Sequence, residues 1–362
     1  MMRRLPTLLL VLLLAVALVA AACGSPADQE PADDNGGDDQ GAATDTLTVG
    51  VMVPSQDNPF WVRYAEFVRQ VADDLDIEVV LADARNREDT QISDIESLLA
   101  RGVDGLLVTP VTAAVGPTLI NRAEEAGVPI MVTDRFPDVD PETYEGDMYV
   151  GFIGPNDVQA GYDIAKALIE AGAKKIVALN GMQGASVAQG RNEGLHQAIS
   201  EHPDVELVAE QWVGDRREDG LNMMENYLSA YPDGEIDAVW AFNDNLAMGA
   251  LQAIKSAGRT NIMVAGMDLN QDAVEAIQAG EYTFSTGGHW LQGGFGLIIL
   301  HDFLNGIEPV EKMVKLNTLG VDQENVEKFL EQYIENPPTF DIKSLSRKYN
   351  PSATSHFEIT IE

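Results

Sequence analysis

From Leu47 onward, short apolar runs alternate with longer stretches in which apolar residues return every three or four positions. The runs are rich in Val, Ile and Leu and end at polar residues or glycine, the pattern of strands buried on both faces. They fall at 47–53, 77–82, 105–109, 130–133 and 149–153, then at 175–180, 206–212, 236–242, 262–267 and 282–286. Helical spacing occupies 60–75, 90–99, 160–169, 221–228, 246–257 and 271–279, with another helix opening near Ser186. This repetition predicts an α/β protein of doubly wound parallel sheets, helices on both faces and right-handed crossovers. The alternation occurs twice, so two sheets, each the centre of a lobe, are expected. At ~150 residues per domain, 362 residues hold both.

The first 46 residues follow another pattern. Arg3 and Arg4 precede an apolar stretch from Leu8 to Val19 and then Ala20-Ala21-Ala22, the layout of an export signal over 1–22. The apolar stretch is shorter than the ~20 residues of a membrane span. Cys23 follows at once and is the single cysteine, so no disulfide can form within the chain. Its place resembles the lipidation site of bacterial lipoproteins, although Ala20 stands where those carry leucine. That resemblance implies export and a lipid anchor on Cys23, at the cell surface or in the periplasm. The alternative is plain cleavage after Ala22 with a free thiol. Residues 24–46 hold seven acidic residues, no basic ones and scattered Gly and Pro, so 23–46 reads as a self-repelling tether. Over the whole chain 58 Asp and Glu face 23 Lys and Arg, a formal charge of −35. Such an excess argues against nucleic acid, whose phosphates demand basic patches, and against anionic lipid surfaces.

Candidate chemistry sits at the strand ends, because open α/β sheets hold ligands at the carboxyl edge of their strands. Val128-Pro129-Ile130-Met131-Val132-Thr133-Asp134-Arg135 delivers an acceptor-only carboxylate beside a planar fork of donors. Together they can engage neighbouring hydroxyls. Asn58, after the first strand, can cap a helix that opens on Phe60 and Trp61, whose rings suit the apolar face of a sugar. Arg191 lies in the first turns of a later helix, Asn243 follows an apolar strand, and Asp268 ends another. Singly, each is an ordinary cap, ion pair or core aromatic. Together they put polar groups at the same edge of both sheets.

In order and spacing, Asn58-Pro59-Phe60-Trp61, Thr133-Asp134-Arg135, Arg191-Asn192-Glu193-Gly194, Phe242-Asn243-Asp244 and Gly266-Met267-Asp268 resemble the ribose-binding-protein family. Its members are sugar-binding components of bacterial ABC importers with the type I periplasmic-binding fold. The resemblance runs from about Leu47 to about Tyr333. It implies an N-terminal lobe of 47–154 with 289–317 and a C-terminal lobe of 155–288 with 318–335. Three crossings near 154–155, 287–288 and 316–318 would join them, and 336–362 would be an extension along the surface. By the same resemblance Asn58, Asp134, Arg135, Arg191, Asn243 and Asp268 hydrogen-bond a monosaccharide or polyol while Phe60 and Trp61 stack on its ring. The closed lobes then meet an ABC transporter permease. A monomer without cofactor or metal is expected.

Two departures bear on the ligand. Where the ribose binders carry an aromatic in the second lobe, this chain has Asp215, with Trp212 three residues earlier. Either Trp212 takes over the stacking or that wall is polar. Where they carry a hinge glutamine, the chain reads Gly287-Gly288-His289-Trp290, so His289 is the candidate for that hydrogen bond. Trp240, inside an apolar strand, reads as core. Catalysis has little support: there is no nucleophile elbow, P-loop or His-x-x-x-His metal spacing, and carboxylate pairs arise by chance in a chain this acidic. The competing readings are a sensory receptor for a sugar or furanosyl signal, coupled to a chemoreceptor or sensor kinase, and a carbohydrate-acting enzyme.

Overall fold

A computed structural model describes residues 46–354, 357 and 359–361. The export signal, Cys23 and the tether up to Asp45 lie outside the described residues. The first sheet contains β1 (Leu47–Val53), β2 (Ile77–Asp83), β3 (Gly105–Val108), β4 (Ile130–Thr133), β5 (Tyr149–Pro155) and β11 (Met313–Leu316). The second contains β6 (Lys175–Asn180), β7 (Glu206–Trp212), β8 (Ala238–Ala241), β9 (Met263–Asp268), β10 (Phe284–Gly287) and β12 (Leu319–Val321). Their orders, β2-β1-β3-β4-β5-β11 and β7-β6-β8-β9-β10-β12, repeat one plan. All pairs are parallel except β10 with β12. The winding reverses between β1 and β3 and between β6 and β8, and crevices at such reversals are where these sheets hold ligands.

Helices α1 (Pro59–Asp74), α2 (Glu88–Ala100), α3 (Gly116–Ala126) and α9 (Gln292–Leu304) cover the first sheet. Helices α4 (Asp157–Glu170), α5 (Ser186–Ser200), α6 (Arg217–Ala230), α7 (Asp244–Ser256) and α8 (Gln271–Gln278) cover the second. The period of two along each strand divides the side chains between layers. Met52, Leu106, Val108 and Val132 pack with Ile95, Leu98 and Leu119 of α2 and α3, while Val49, Val51, Leu107 and Met131 join the core that includes α1 and α9. The α/β architecture of two parallel-sheet lobes is the one the hydrophobic pattern predicts.

Helix α9 escaped that pattern for a physical reason. It is buried along nearly its whole length, so no polar face marks a helical period. Its Gly293 and Gly294 lie against Tyr64 and Phe67 of α1 with no room for a Cβ, which brings the two helices close together. In the second lobe α4 and α5 cross in the same way: a Cβ on Gly161 would strike the Arg191 backbone, and one on Gly194 the Val158 backbone.

The chain leaves the first sheet after Pro155, returns through Gly288 and goes back to the second sheet between Leu316 and Leu319. Beyond a π-helical turn, Leu330–Glu335, the tail crosses to the first lobe instead of remaining on the second. Phe340 packs edge-on to Phe67 and Phe295, and Phe357 stacks on Phe295 at 4.2 Å. Asp302 of α9 accepts hydrogen bonds from Ser346 Oγ at 2.6 Å and from the Arg347 and Lys348 amides. The tail then returns to its root, where Tyr333 donates to the Thr360 carbonyl at 2.8 Å. The tail is therefore part of the first lobe's packing.

Candidate ligand-binding site

The first lobe supplies its groups from strand ends held rigidly from behind. Asn58 is the N-cap of α1, its side chain accepting from the Phe60 amide at 3.0 Å, and Pro59 presets the first turn. This cap starts the helix so that Phe60 and Trp61 stand at the crevice, edge to face at 4.8 Å. At the end of β4, Thr133 Oγ1 lies 2.8 Å from Tyr64 Oη and 2.7 Å from Thr109 Oγ1, and Asp134 turns into the left-handed region at φ 62°. Gln292 Nε2 donates to Asp134 Oδ1 at 2.6 Å. Arg135 donates through Nη1 to the Val111 carbonyl at 2.6 Å, and its Nε, 4.0 Å from Asp134 Oδ2, is buried without a hydrogen-bond partner among the described residues.

The second lobe mirrors this arrangement. Asn243 is the N-cap of α7, accepting from the Leu246 amide at 3.0 Å. Arg191 reaches out of α5, donating from Nε to Asp157 at 2.9 Å and from Nη1 to the Phe242 carbonyl at 3.1 Å, with its guanidinium 4.5 Å from the Phe242 ring. Asp268 and Leu269 both have positive φ, and buried Asp244 clamps their turn. Asp244 accepts from Tyr282 Oη at 2.8 Å, Ser285 Oγ at 2.9 Å and the Asn270 amide at 2.9 Å. His289, just past the second crossing, stacks on Phe60 at 4.4 Å and points Nε2 at Asp268 Oδ1, 3.8 Å away.

These side chains meet around one cavity, lined by Asn58, Phe60, Trp61, Asp134, Arg135, Val187, Arg191, Asp215, Phe242, Asn243, Asp268 and His289. Ten of the eleven residues expected from the sequence line it. Trp212 does not. It ends β7, the edge strand of the second sheet, and is 38% exposed, and the loop beyond it brings in Asp215 instead. The wall is therefore acidic where the sequence left stacking by Trp212 open. Trp240 is wholly buried core, donating to the Gly161 carbonyl. The sequence reading missed Val187, Phe242 as a lining ring, and the supports Gln292 and Asp244. Gln292 had one signal in the sequence, a polar residue just ahead of the apolar run 295–300. Hydrogen bonds also span the lobes at the rim: Arg63 Nη1 to the Leu269 carbonyl at 3.0 Å, the Ala113 amide to the Gly184 carbonyl at 3.2 Å, and Asn86 Nδ2 to Asp215 Oδ2 at 3.4 Å.

Burial dominates the electrostatics. It pushes Asp268 well above the ordinary carboxyl range, Arg191 opposing it, and holds His289 well below the usual imidazole value, so the ring is neutral. It raises Asp157 to about 7 against the pull of Arg191, and Asp244 to about 7 against its three hydrogen bonds. In the unfolded chain both carboxyls sit near 3.8. Between those values the folded protein keeps protons that the unfolded chain has released, so stability rises as pH falls from 7 towards 4. The ligand-free thermal midpoint is accordingly expected to be higher at about pH 5.5 than at about pH 7.5, with a smaller gain in Asp244→Asn. A midpoint that stays flat or drops across that window contradicts this.

With this geometry in place, comparison with known proteins identifies the class. A family model for the periplasmic binding protein domain matches residues 49–297, and the chain belongs to that family. A ribose import binding protein of Bacillus subtilis (strain 168) is 33% identical over 233 residues, 64% of this chain and 72% of that protein. A xylitol-binding protein of Mycolicibacterium smegmatis is 32% identical over 244 residues, 67% of each chain. The crystal structure of a galactofuranose binding protein superposes with a TM-score of 0.75 at 26% identity, covering 81% of this chain and all of that one. The resemblance to ribose-binding proteins read from the sequence holds at the level of the whole fold.

Proposed function

We infer that this protein is the extracytoplasmic receptor of an ABC importer and captures a monosaccharide or sugar-like polyol between its lobes. One observation carries the reading: hydrogen-bonding and aromatic side chains from the carboxyl edges of both sheets line a single buried cavity. Arg135 Nε and His289 Nδ1 are buried without hydrogen-bond partners among the described residues. Leaving such groups unpaired costs ~1–3 kcal/mol each, so a guest whose hydroxyls reach them favours the closed lobes. Hydrogen bonds to charged groups, ~1.5–3 kcal/mol apiece, then discriminate among epimers, because a misplaced hydroxyl leaves a charge unmatched. Relatives that bind ribose and xylitol by name support a small polyhydroxylated guest.

In this reading the lobes are 47–154 with 289–317 and 155–288 with 318–335, hinged at the three crossings. Export through the signal over 1–22, lipidation of Cys23 and the acidic tether would keep a monomeric receptor beside its membrane permease. Binding takes place without chemistry on the ligand. Calorimetry against pentoses, hexoses, inositol and linear polyols is expected to find a ligand with a dissociation constant of about 1 μM or tighter, recovered unchanged. Failure of every member to bind, or conversion of one, overturns the reading.

A further inference from the structure

The charges of the cavity do not balance. Each arginine that lines it faces a carboxylate of its own lobe: Arg135 stands 4.0 Å from Asp134, and Arg191 donates to Asp157 at 2.9 Å. Of the other cations nearby, Lys315 acts on Asp157 and Asp134. Arg63 is engaged by the Leu269 carbonyl and by the Trp290 ring, 3.5 Å from its guanidinium. Three carboxylates line the cavity, Asp134, Asp215 and Asp268, against two arginines. The two on the second lobe have no arginine or lysine within ion-pair distance among the described residues, Arg191 acting on Asp268 and Arg135 on Asp215 only from further off. The Asp268 side chain, only 4% exposed, accepts no hydrogen bond from any described residue, and His289, 3.8 Å away, is held neutral by burial. The Asp215 carboxylate accepts, among the described residues, a single long hydrogen bond, 3.4 Å, from Asn86. Asp244 behind the turn adds further negative potential at Asp268.

We propose that the guest of this cavity carries a protonated amine beside its hydroxyls, and that Asp268 and Asp215 receive the ammonium group. The proposal rests on the reading of the cavity as a polyol site and narrows it to amino sugars and amino polyols. A hydroxyl can hydrogen-bond Asp268 but brings no charge to favour its ionised form, which burial disfavours. An ammonium brings three donors and the missing positive charge, and charge-assisted pairs are the stronger kind. A metal ion is the other cation to weigh, and among the described residues no group of three or more His, Cys, Asp or Glu is placed to hold one.

The test is calorimetry on the full chain with matched pairs: glucose and glucosamine, ribose and an aminodeoxyribose, myo-inositol and an aminodeoxyinositol, each amine also as its neutral N-acetyl derivative. The expected result is that at least one amine binds about tenfold or more tightly than its hydroxyl parent. N-acetylation should erase that advantage, and Asp268→Asn and Asp215→Asn should each reduce it. Neutral parents binding as tightly as their amines in every pair overturn the proposal and leave the polyol receptor standing. An amine preference untouched by both substitutions overturns the assignment to Asp268 and Asp215. If neither series binds, the polyol reading falls, and this proposal with it.

Discussion

Replacing Arg135 with alanine is expected to weaken ligand binding by about a hundredfold or more, while the ligand-free chain keeps its circular dichroism spectrum. The guanidinium is fixed by the Val111 carbonyl and lies beside Asp134, and its Nε has no hydrogen-bond partner among the described residues. A guest hydroxyl paired with that fork gains hydrogen bonds worth ~1.5–3 kcal/mol each. Alanine removes these and also leaves Asp134 buried on closure without its cation, which costs more than the pair's net worth. Arg135→Lys is informative here. It restores charge but not the planar fork, so its affinity should remain within about tenfold of the alanine variant. Titration calorimetry with the tightest ligand of the sugar panel measures both. An alanine variant within about threefold of the parent would place the guest elsewhere.

A single added methyl, Gly161→Ala, is expected to destabilise the second lobe by about 1–3 kcal/mol or more. Helix propensity alone points the other way, since alanine inside a helix is favoured over glycine by ~0.5–1 kcal/mol. Packing outweighs it because the new Cβ overlaps the backbone carbonyl of Arg191, where α4 crosses α5. Backbone cannot swing aside as a flexible side chain can, so the helices must separate. Separation would also shift Arg191 and loosen its hydrogen bonds to Asp157 and the Phe242 carbonyl. Urea denaturation should therefore show a lower midpoint, and calorimetry a weaker affinity. A variant as stable as the parent would mean that this helix crossing has slack the structure does not show.

Much of the fold was legible because its signals are local. Short apolar runs bounded by turn signals, such as the one ending at Thr133, read as strands covered on both sides, and Asn58 and Asn243 cap the helices that follow them. The strand β10 starts at Phe284, two residues later than the apolar run suggested, because Tyr282 turns inward to Asp244. The short strands β11 and β12 were invisible: at four and three residues they carry no period, and they exist because β5 and β10 offer open edges. The same limit explains Gln292 and Asp244, whose importance lies in partners 158 and up to 41 residues away.

By itself the sequence determined two parallel-sheet lobes and a set of polar residues waiting at their strand ends, since hydrophobic period and helix capping are decided within a few neighbouring positions. The tertiary structure alone decided that Asp215 and not Trp212 reaches the cavity, that His289 stacks on Phe60, and that the tail closes over α9. It also exposed the unmatched carboxylates. Charge balance in a buried space depends on how far apart side chains from distant segments come to rest, and no local pattern encodes that distance.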